Sequence, residues 1–399
     1  MSDKKVSLAP AGSVQEPCGT HMGDRKVLPV ESGASPSAAV PDGDPLHLDG
    51  HKLLWHPARV RDWQRQRVIA PLYLEISPVS YCNHRCLFCG VDFQMEKGVR
   101  LPEELLCRRL QEMGELGVKA IMFAGEGEPT LHPSLGRFIE TGRGAGIDIS
   151  LTTNGNLGDA SFWERILPHL TWVRFSVDAG SPEVYARVHG VAAGMFQRTL
   201  ANIIRAVALK REGRSRATVG VQILILEENI DDIARALALF SEIGVDYIAL
   251  KPYSFHPQQL HTKEVHYTAE VIGRLEAILA EFSPRPGTRI VFRKAATLVY
   301  AAKGLDFHHC RALPFWGYIN AQGEFYTCSV FLGDKRFLAG SIHDQEMKGL
   351  FFGPLRSASI AFGERELVIG DECRVNCRMA RINEYLEELD HLPLHRNFV

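Results

Sequence analysis

The sequence has 399 residues, 45% of them apolar, with 45 Lys and Arg against 47 Asp and Glu for a net charge of −2. Such a chain can bury more than one ordinary core, and its balanced charge gives no electrostatic case for nucleic acid or an anionic membrane. It contains no run of about 18 apolar residues of the kind that spans a bilayer. Residues Met1 to Val6 lack the apolar run of a signal peptide, so a cytoplasmic location is expected. In that compartment thiols stay reduced, and the nine cysteines read as metal ligands or buried thiols rather than disulfides.

Residues 1–45 are rich in Ser, Gly, Pro, Ala and Asp without apolar periodicity, and read as a disordered tail. Cys18 lies in that tail and is a poor ligand candidate. From Leu72 onward short β-prone runs alternate with amphipathic stretches. Strands are expected at Leu72–Ile76, Ala120–Phe123, Ile149–Thr152, Trp172–Val177, Val219–Leu226 and Tyr247–Lys251. Helices are expected at Pro102–Leu116, Pro133–Ala145, Ser161–Leu170, Met195–Lys210, Asn229–Ile243 and His266–Phe282. Six βα units predict an α/β fold with a parallel sheet curled into a partial (βα)6 TIM-like barrel over 46–283. Chemistry is then expected at the carboxyl ends of the strands. After about Ser283 the alternation stops, and 284–399 read as a smaller appended domain. Trp55–Arg67 is expected to pack under the barrel.

The first strand is followed by Ser80-Tyr-Cys82-Asn-His-Arg-Cys86-Leu-Phe-Cys89-Gly. Three thiolates within eight residues can hold three corners of a [4Fe–4S] cube and leave the fourth iron open to a small molecule. Zinc is an alternative, with His84 as fourth ligand, but His84 sits in a cramped position between two of the cysteines. A cluster of inert core cysteines is the bland reading, and three in eight residues on one loop fit it poorly.

This C-x3-C-x2-C loop, with Phe88 before its last cysteine, resembles the signature of the radical S-adenosylmethionine (SAM) superfamily. The resemblance implies that Cys82, Cys86 and Cys89 hold a [4Fe–4S] cluster whose open iron binds the SAM amino and carboxylate groups. An electron from a reductant such as flavodoxin or ferredoxin then cleaves SAM to methionine and a 5′-deoxyadenosyl radical, which abstracts hydrogen from a substrate. The second strand ends in Gly125-Glu126-Gly127-Glu128-Pro129, similar to the family's GGEP motif, whose backbone and acidic side chain meet the SAM amino group. A plain strand-to-helix turn accounts for the Gly and Pro but poorly for Glu126 and Glu128.

Asn154 ends the third strand, facing a pocket or capping the next helix. Alternation on the fourth strand puts Arg174, Ser176 and Asp178 on one face. By resemblance, Ser176 and Asp178 contact the SAM carboxylate or ribose, and Arg187 pairs with the carboxylate or is simply a solvated helix residue. Gln222 is the polar exception on the apolar fifth strand. Lys251, Tyr253 and His256 follow on the sixth as candidate substrate contacts or ordinary loop residues.

Downstream lie Cys310, Cys328, Cys373 and Cys377, with Tyr318–Tyr326 reading as a hairpin that turns at Gly323 and a helix expected over Met379–Leu389. Four thiolates from separated segments can saturate a second cluster or a zinc ion. The arrangement resembles the SPASM/twitch extension of radical SAM enzymes. Four cysteines match the shorter twitch form with one auxiliary [4Fe–4S] cluster, although the last pair is spaced x3 rather than x2. Cys107 falls on the core face of the first barrel helix.

Twitch relatives imply a small-molecule substrate (a sugar, aminocyclitol or nucleoside in natural-product biosynthesis) undergoing oxidation, epimerisation or rearrangement. No cysteine lies between Cys107 and Cys310 to return a hydrogen atom, which weighs against epimerisation. Two alternatives stand beside this. One is maturation of a ribosomally made peptide, against which residues 46–70 are too short for a peptide-recognition domain. The other is a non-catalytic, zinc-stabilised binding protein.

Overall fold

The computed structural model describes residues 46–397, apart from 48–49, 96–97, 254, 262, 303–304, 306, 375–376, 392–393 and 396. The tail read over 1–45, with Cys18, lies outside the described residues. Helix α1 (Pro57–Gln66) precedes strand β1 (Tyr73–Ile76). Then follow α2 (Glu103–Glu115), β2 (Ala120–Phe123), α3 (Leu135–Gly144), β3 (Asp148–Thr153), α4 (Ala160–Ile166) and β4 (Leu170–Ser176). Helices α5 (Pro182–His189) and α6 (Gly194–Arg211) lead to β5 (Thr218–Ile225), α7 (Ile233–Ile243), β6 (Tyr247–Pro252), α8 (Ala269–Glu281), β7 (Arg289–Phe292) and α9 (Lys294–Ala302). The chain closes with β8 (Trp316–Ile319), β9 (Glu324–Tyr326), β10 (Leu338–Ser341), α10 (Met347–Phe352), α11 (Pro354–Arg365), α12 (Ile369–Glu372) and α13 (Ala380–Asp390).

All ten strands join one sheet in the order β10-β9-β8-β1-β2-β3-β4-β5-β6-β7. Neighbouring strands from β8 through β7 run parallel, whereas β8–β9 and β9–β10 are antiparallel. The fold is the expected α/β partial barrel. Helices cover one face, where alternate residues such as Leu74, Ile121, Leu151, Phe175, Ile223 and Leu250 are fully buried in the main core. The opposite, inner face carries Glu75, Met122, Thr152, Arg174, Ser176, Gln222 and Lys251.

The six expected strands are present within a residue or two of their expected bounds. Three features of the chain differ from expectation. The βα alternation does not stop near Ser283: β7 continues the parallel sheet beside β6, and α9 follows it. With only four residues and an arginine at its start, β7 carries too little pattern to stand out. Helix α5 has only eight residues, again too short for periodicity to separate from a loop. The third difference is topological. The hairpin β8–β9, turning at Gly323 as expected, is not separate from the barrel, because β8 pairs with β1 over Tyr73↔Trp316 to Ile76↔Ile319.

Helix α1 buries Trp63 against Phe315, in a small core that also takes Leu386 of α13. No helix among the described residues is long and apolar enough to cross a membrane.

Candidate active site

The three clustered cysteines lie on the loop that leaves β1, at the carboxyl end of the sheet. Main-chain bonds dock this loop on the end of α5: Arg85 N donates to His189 O at 3.0 Å and Leu87 N to Val188 O at 3.1 Å. Asn154, after β3, reaches across from the other side, and its Nδ2 donates to Asn83 Oδ1 at 2.8 Å. The turn after β2 presses on the loop from beneath. A Cβ on Gly127 would lie 2.4 Å from Val79 O and 2.5 Å from Tyr81 O, so only glycine permits this approach.

The thiols are poor acids as they stand. Burial pushes Cys82 up to about 12 and Cys89 up to about 11, and Cys86 well above the usual range, with the neighbouring thiols adding to the effect for Cys82 and Cys86. Three half-buried sulfurs that repel one another's charge are stable as thiolates only beside a cation. Sequence reasoning missed His189, whose Nδ1 lies 3.2 Å from Cys86 Sγ while its Nε2 faces Val177 O at 2.6 Å. Phe88 packs edge-on against the same imidazole, with ring centres 5.6 Å apart. Among the described residues, His84, Cys86 and His189 are the one group of three His, Cys, Asp or Glu ligand atoms lying within 4.8 Å of one another.

The two acids of the turn after β2 differ sharply. Glu128 is buried and saturated: Oε1 accepts from Thr130 N, Thr130 Oγ1 and Thr153 Oγ1 at 3.0, 2.6 and 2.6 Å, and Oε2 from Asn154 N at 2.8 Å. It ties β2 to β3 and holds Asn154 in place. Glu126 is equally buried, but neither of its oxygens completes a hydrogen bond, and the Tyr318 hydroxyl near it also lacks one. Burial raises the Glu126 carboxyl from 4.5 to about 8.

The carboxyl of Glu126 is therefore protonated in the fold and ionised in the unfolded chain. Its contribution to stability is full below about pH 4.5 and is lost as pH rises towards 8. Glu126→Gln should abolish this loss, so the stability gap between variant and wild type should widen in the variant's favour by up to about 1.4 kcal/mol per pH unit across that window. Melting curves of both proteins from about pH 5 to about pH 8 would measure it; a constant gap would mean that the acid is ionised in the fold.

The remaining expected contacts scatter. Ser176 and Gln222 are register partners on the inner face. Asp178 is not beside Ser176: the strand ends, the backbone turns at φ 55°, and the carboxylate is fully buried with Oδ1 accepting from Leu224 N at 2.5 Å. Arg187 is exposed on α5 and donates to Glu228 O at 2.7 Å. His256 stacks on Phe93, and Tyr253 donates to Gln259 Oε1 at 2.5 Å. Cys107 sits between α2 and α3, accepting from Thr141 Oγ1 at 3.6 Å.

Cys310, Cys328, Cys373 and Cys377 line one narrow cavity, walled by Trp316, Phe331, Phe337 and Met379. Burial raises Cys310 and Cys328. Cys373 donates to Cys377, and that hydrogen bond holds the Cys377 thiol below its usual range. The next residue, Arg378, forms an ion pair with Glu75 on the inner face of β1. Sulfurs supplied by the loop before β8, the end of β9 and the segment between α12 and α13 thus converge on one space beside the barrel.

Residues 76–240 match the model of the radical SAM superfamily. This stretch is a radical SAM domain. Over 179 residues it is 27% identical to a tungsten-containing aldehyde ferredoxin oxidoreductase cofactor-modifying protein of Pyrococcus furiosus, covering 44% of this chain and 49% of the relative. Over 120 residues it is 32% identical to a probable GTP 3′,8-cyclase of Thermococcus kodakarensis, covering 30% of this chain and 38% of the relative. The chain thus spans half or less of these curated relatives. Its fold is similar to that of Streptococcus suis SuiB bound to S-adenosylmethionine, with TM-score 0.59, 20% identity, and coverage of 78% of this chain and 72% of that one. It is also similar to anSMEcpe with bound AdoMet, with TM-score 0.55, 17% identity, and coverage of 80% and 99%.

Radical SAM enzymes use a [4Fe–4S] cluster, SAM and an electron donor, and the donor set here fits the cluster. Three thiols share one loop, each held above its ordinary range until a metal supplies positive charge.

Proposed function

We propose that Cys82, Cys86 and Cys89 hold the SAM-binding cluster and that a small-molecule substrate (a sugar, aminocyclitol or nucleoside) sits between it and an auxiliary [4Fe–4S] cluster on Cys310, Cys328, Cys373 and Cys377. The bound cluster supplies the electron that cleaves SAM to methionine and the 5′-deoxyadenosyl radical, which takes a hydrogen atom from the substrate. The observation that carries this reading is the cysteine loop, clamped between the turn after β2 and the end of α5 inside the radical SAM domain.

The chain's own residues have distinct tasks in it. Glu128 fixes the turn and Asn154; Gly127 lets the loop approach; His189 faces Cys86 and orients its sulfur. Ser176 and Gln222 offer polar contacts to SAM on the inner face. The twitch reading is supported by the shared cavity of the four later cysteines. Around a single tetrahedral zinc, sulfurs stand about 3.8 Å apart, and neither cysteine set forms such a compact group among the described residues. With Cys107 held in the helix layer, no thiol among the described residues outside the two proposed cluster sites stands ready as a hydrogen donor, which favours oxidation over epimerisation.

A second reading is peptide maturation. It is favoured by similar structures, those of SuiB bound to precursor peptide SuiA and of anSMEcpe bound to a peptide.

The test is anaerobic reconstitution with iron and sulfide, followed by dithionite and SAM. Brown protein that forms 5′-deoxyadenosine is the expected result. Colourless protein with stoichiometric zinc and no cleavage, for example through His84, Cys86 and His189, would overturn the proposal.

A further inference from the structure

Among the described residues, three of the four later sulfurs each face an N–H group. Val330 N lies 3.5 Å from Cys328 Sγ, Met379 N lies 3.3 Å from Cys377 Sγ, and Asn383 Nδ2 lies 3.8 Å from Cys310 Sγ. The first two donors are main-chain groups two residues beyond the cysteine they serve. The third belongs to a side chain on α13, 73 residues away from its cysteine.

Asn383 is fully buried, and its other partners dictate how its amide is turned. Oδ1 accepts from Arg311 N and Ala312 N, both at 2.8 Å. Those two donors follow Cys310 directly, and a flipped amide would set its own hydrogens against theirs. The oxygen therefore clamps the loop before β8, and the NH2 group is left to the Cys310 sulfur. The same asparagine lines the narrow cavity on which the four sulfurs converge. Burial pushes the Cys310 thiol up, the Cys328 and Cys377 thiols push the same way, and the Asn383 amide opposes them.

An N–H donor in a dry site draws electron density from a metal-bound sulfur, and so favours the cluster state that holds one more electron. In the oxidation favoured above, a hydroxyl-bearing carbon radical of the substrate loses one electron to the auxiliary cluster and its hydroxyl proton to solvent, leaving a carbonyl. We propose that Asn383 is a positioning residue of that electron acceptor. Its oxygen holds the Cys310 loop, and its N–H···S contact raises the reduction potential of the cluster on Cys310, Cys328, Cys373 and Cys377. This rests on the auxiliary-cluster reading under Proposed function.

The test is a redox titration, followed by electron paramagnetic resonance, of the full-length protein carrying both clusters. Added SAM identifies the first cluster, whose open iron it binds. Asn383→Leu removes the donor without adding charge. The equilibrium constant for one-electron reduction of the auxiliary cluster should then fall about tenfold, a shift of about 59 mV to lower potential. The first cluster should keep its potential. Asn383→Asp preserves the oxygen that receives Arg311 and Ala312, so it should fold even where the leucine variant does not. Its second oxygen, turned on the sulfur, should lower the constant at least as far. In wild type, a nitrogen-15 label in the asparagine side chains should give a nitrogen coupling on the reduced auxiliary cluster that Asn383→Asp loses. Full iron with an unmoved auxiliary potential in Asn383→Asp, or no such coupling in wild type, would overturn the role of Asn383 and leave the cluster standing. Zinc, or no metal, on the later cysteines would refute the auxiliary cluster and this inference with it, and metal analysis reads that outcome before any potential is measured.

Discussion

Replacing Cys82, Cys86 and Cys89 together with alanine should remove about half of the iron and reduce 5′-deoxyadenosine formation to background. Burial raises each of these thiols, so without metal they rest protonated and uncharged. In the proposed site, cluster assembly must drive three protons off, and each iron–thiolate bond gains what bulk water would otherwise supply to the anion. Alanine removes the ligands without removing the turn that carries them, because the main-chain bonds of Arg85 and Leu87 to α5 need no side chain. The triple variant should therefore fold, retain the iron proposed for the later cysteines and fail only in SAM cleavage. The reciprocal variant, with Cys310, Cys328, Cys373 and Cys377 changed to alanine, should lose the other half of the iron. Iron and sulfide analysis beside a 5′-deoxyadenosine assay measures both, and cleavage persisting in the triple variant would show that the SAM site lies elsewhere.

Arg356→Met should lower the unfolding free energy by about 3 kcal/mol or more. Arg356 is fully buried in α11, and its guanidinium faces carbonyls rather than a carboxylate. Nη1 donates to Ile69 O and Phe351 O, both at 2.7 Å, and Nη2 donates to Pro314 O at 2.8 Å. Those carbonyls belong to the approach to β1, the end of α10 and the approach to β8. One side chain thus satisfies three buried acceptors at the seam where the C-terminal strands meet the barrel. Relief from burying a charge offsets part of the loss, but each orphaned carbonyl costs about 1–3 kcal/mol, so the deficit dominates. Arg356→Lys should fall between, since an ammonium cannot reproduce the planar fork. Thermal or urea unfolding of the reconstituted proteins gives the measurement, and wild-type stability in Arg356→Met would show that other donors replace the guanidinium.

What the sequence made legible was local. The cysteine loop occupies eight residues, and its chemistry can be read without knowing what surrounds it. The strands β1 to β6 announced themselves as apolar runs between longer amphipathic stretches. What stayed hidden depends on distant pairs. His189 stands 103 residues from Cys86, and a histidine at the end of a short helix carries no motif. Asp178 was placed by alternation, but a single backbone turn with φ 55° removes it from the face of Ser176. Glu126 and Glu128 look alike in the motif, yet one is saturated by four donors and the other has none.

The pairing of β8 with β1 has a consequence for biogenesis. During synthesis, the outer edge of β1 waits for a partner that emerges more than two hundred residues later. Until then a nascent chain displays bare amide and carbonyl groups beside apolar side chains, an arrangement prone to self-association. A fragment cut near residue 283 keeps Cys82, Cys86 and Cys89 but never receives its closing strand. Such a fragment should accumulate in inclusion bodies, and slow translation or chaperone supply should matter for yield more than the length of the barrel alone suggests.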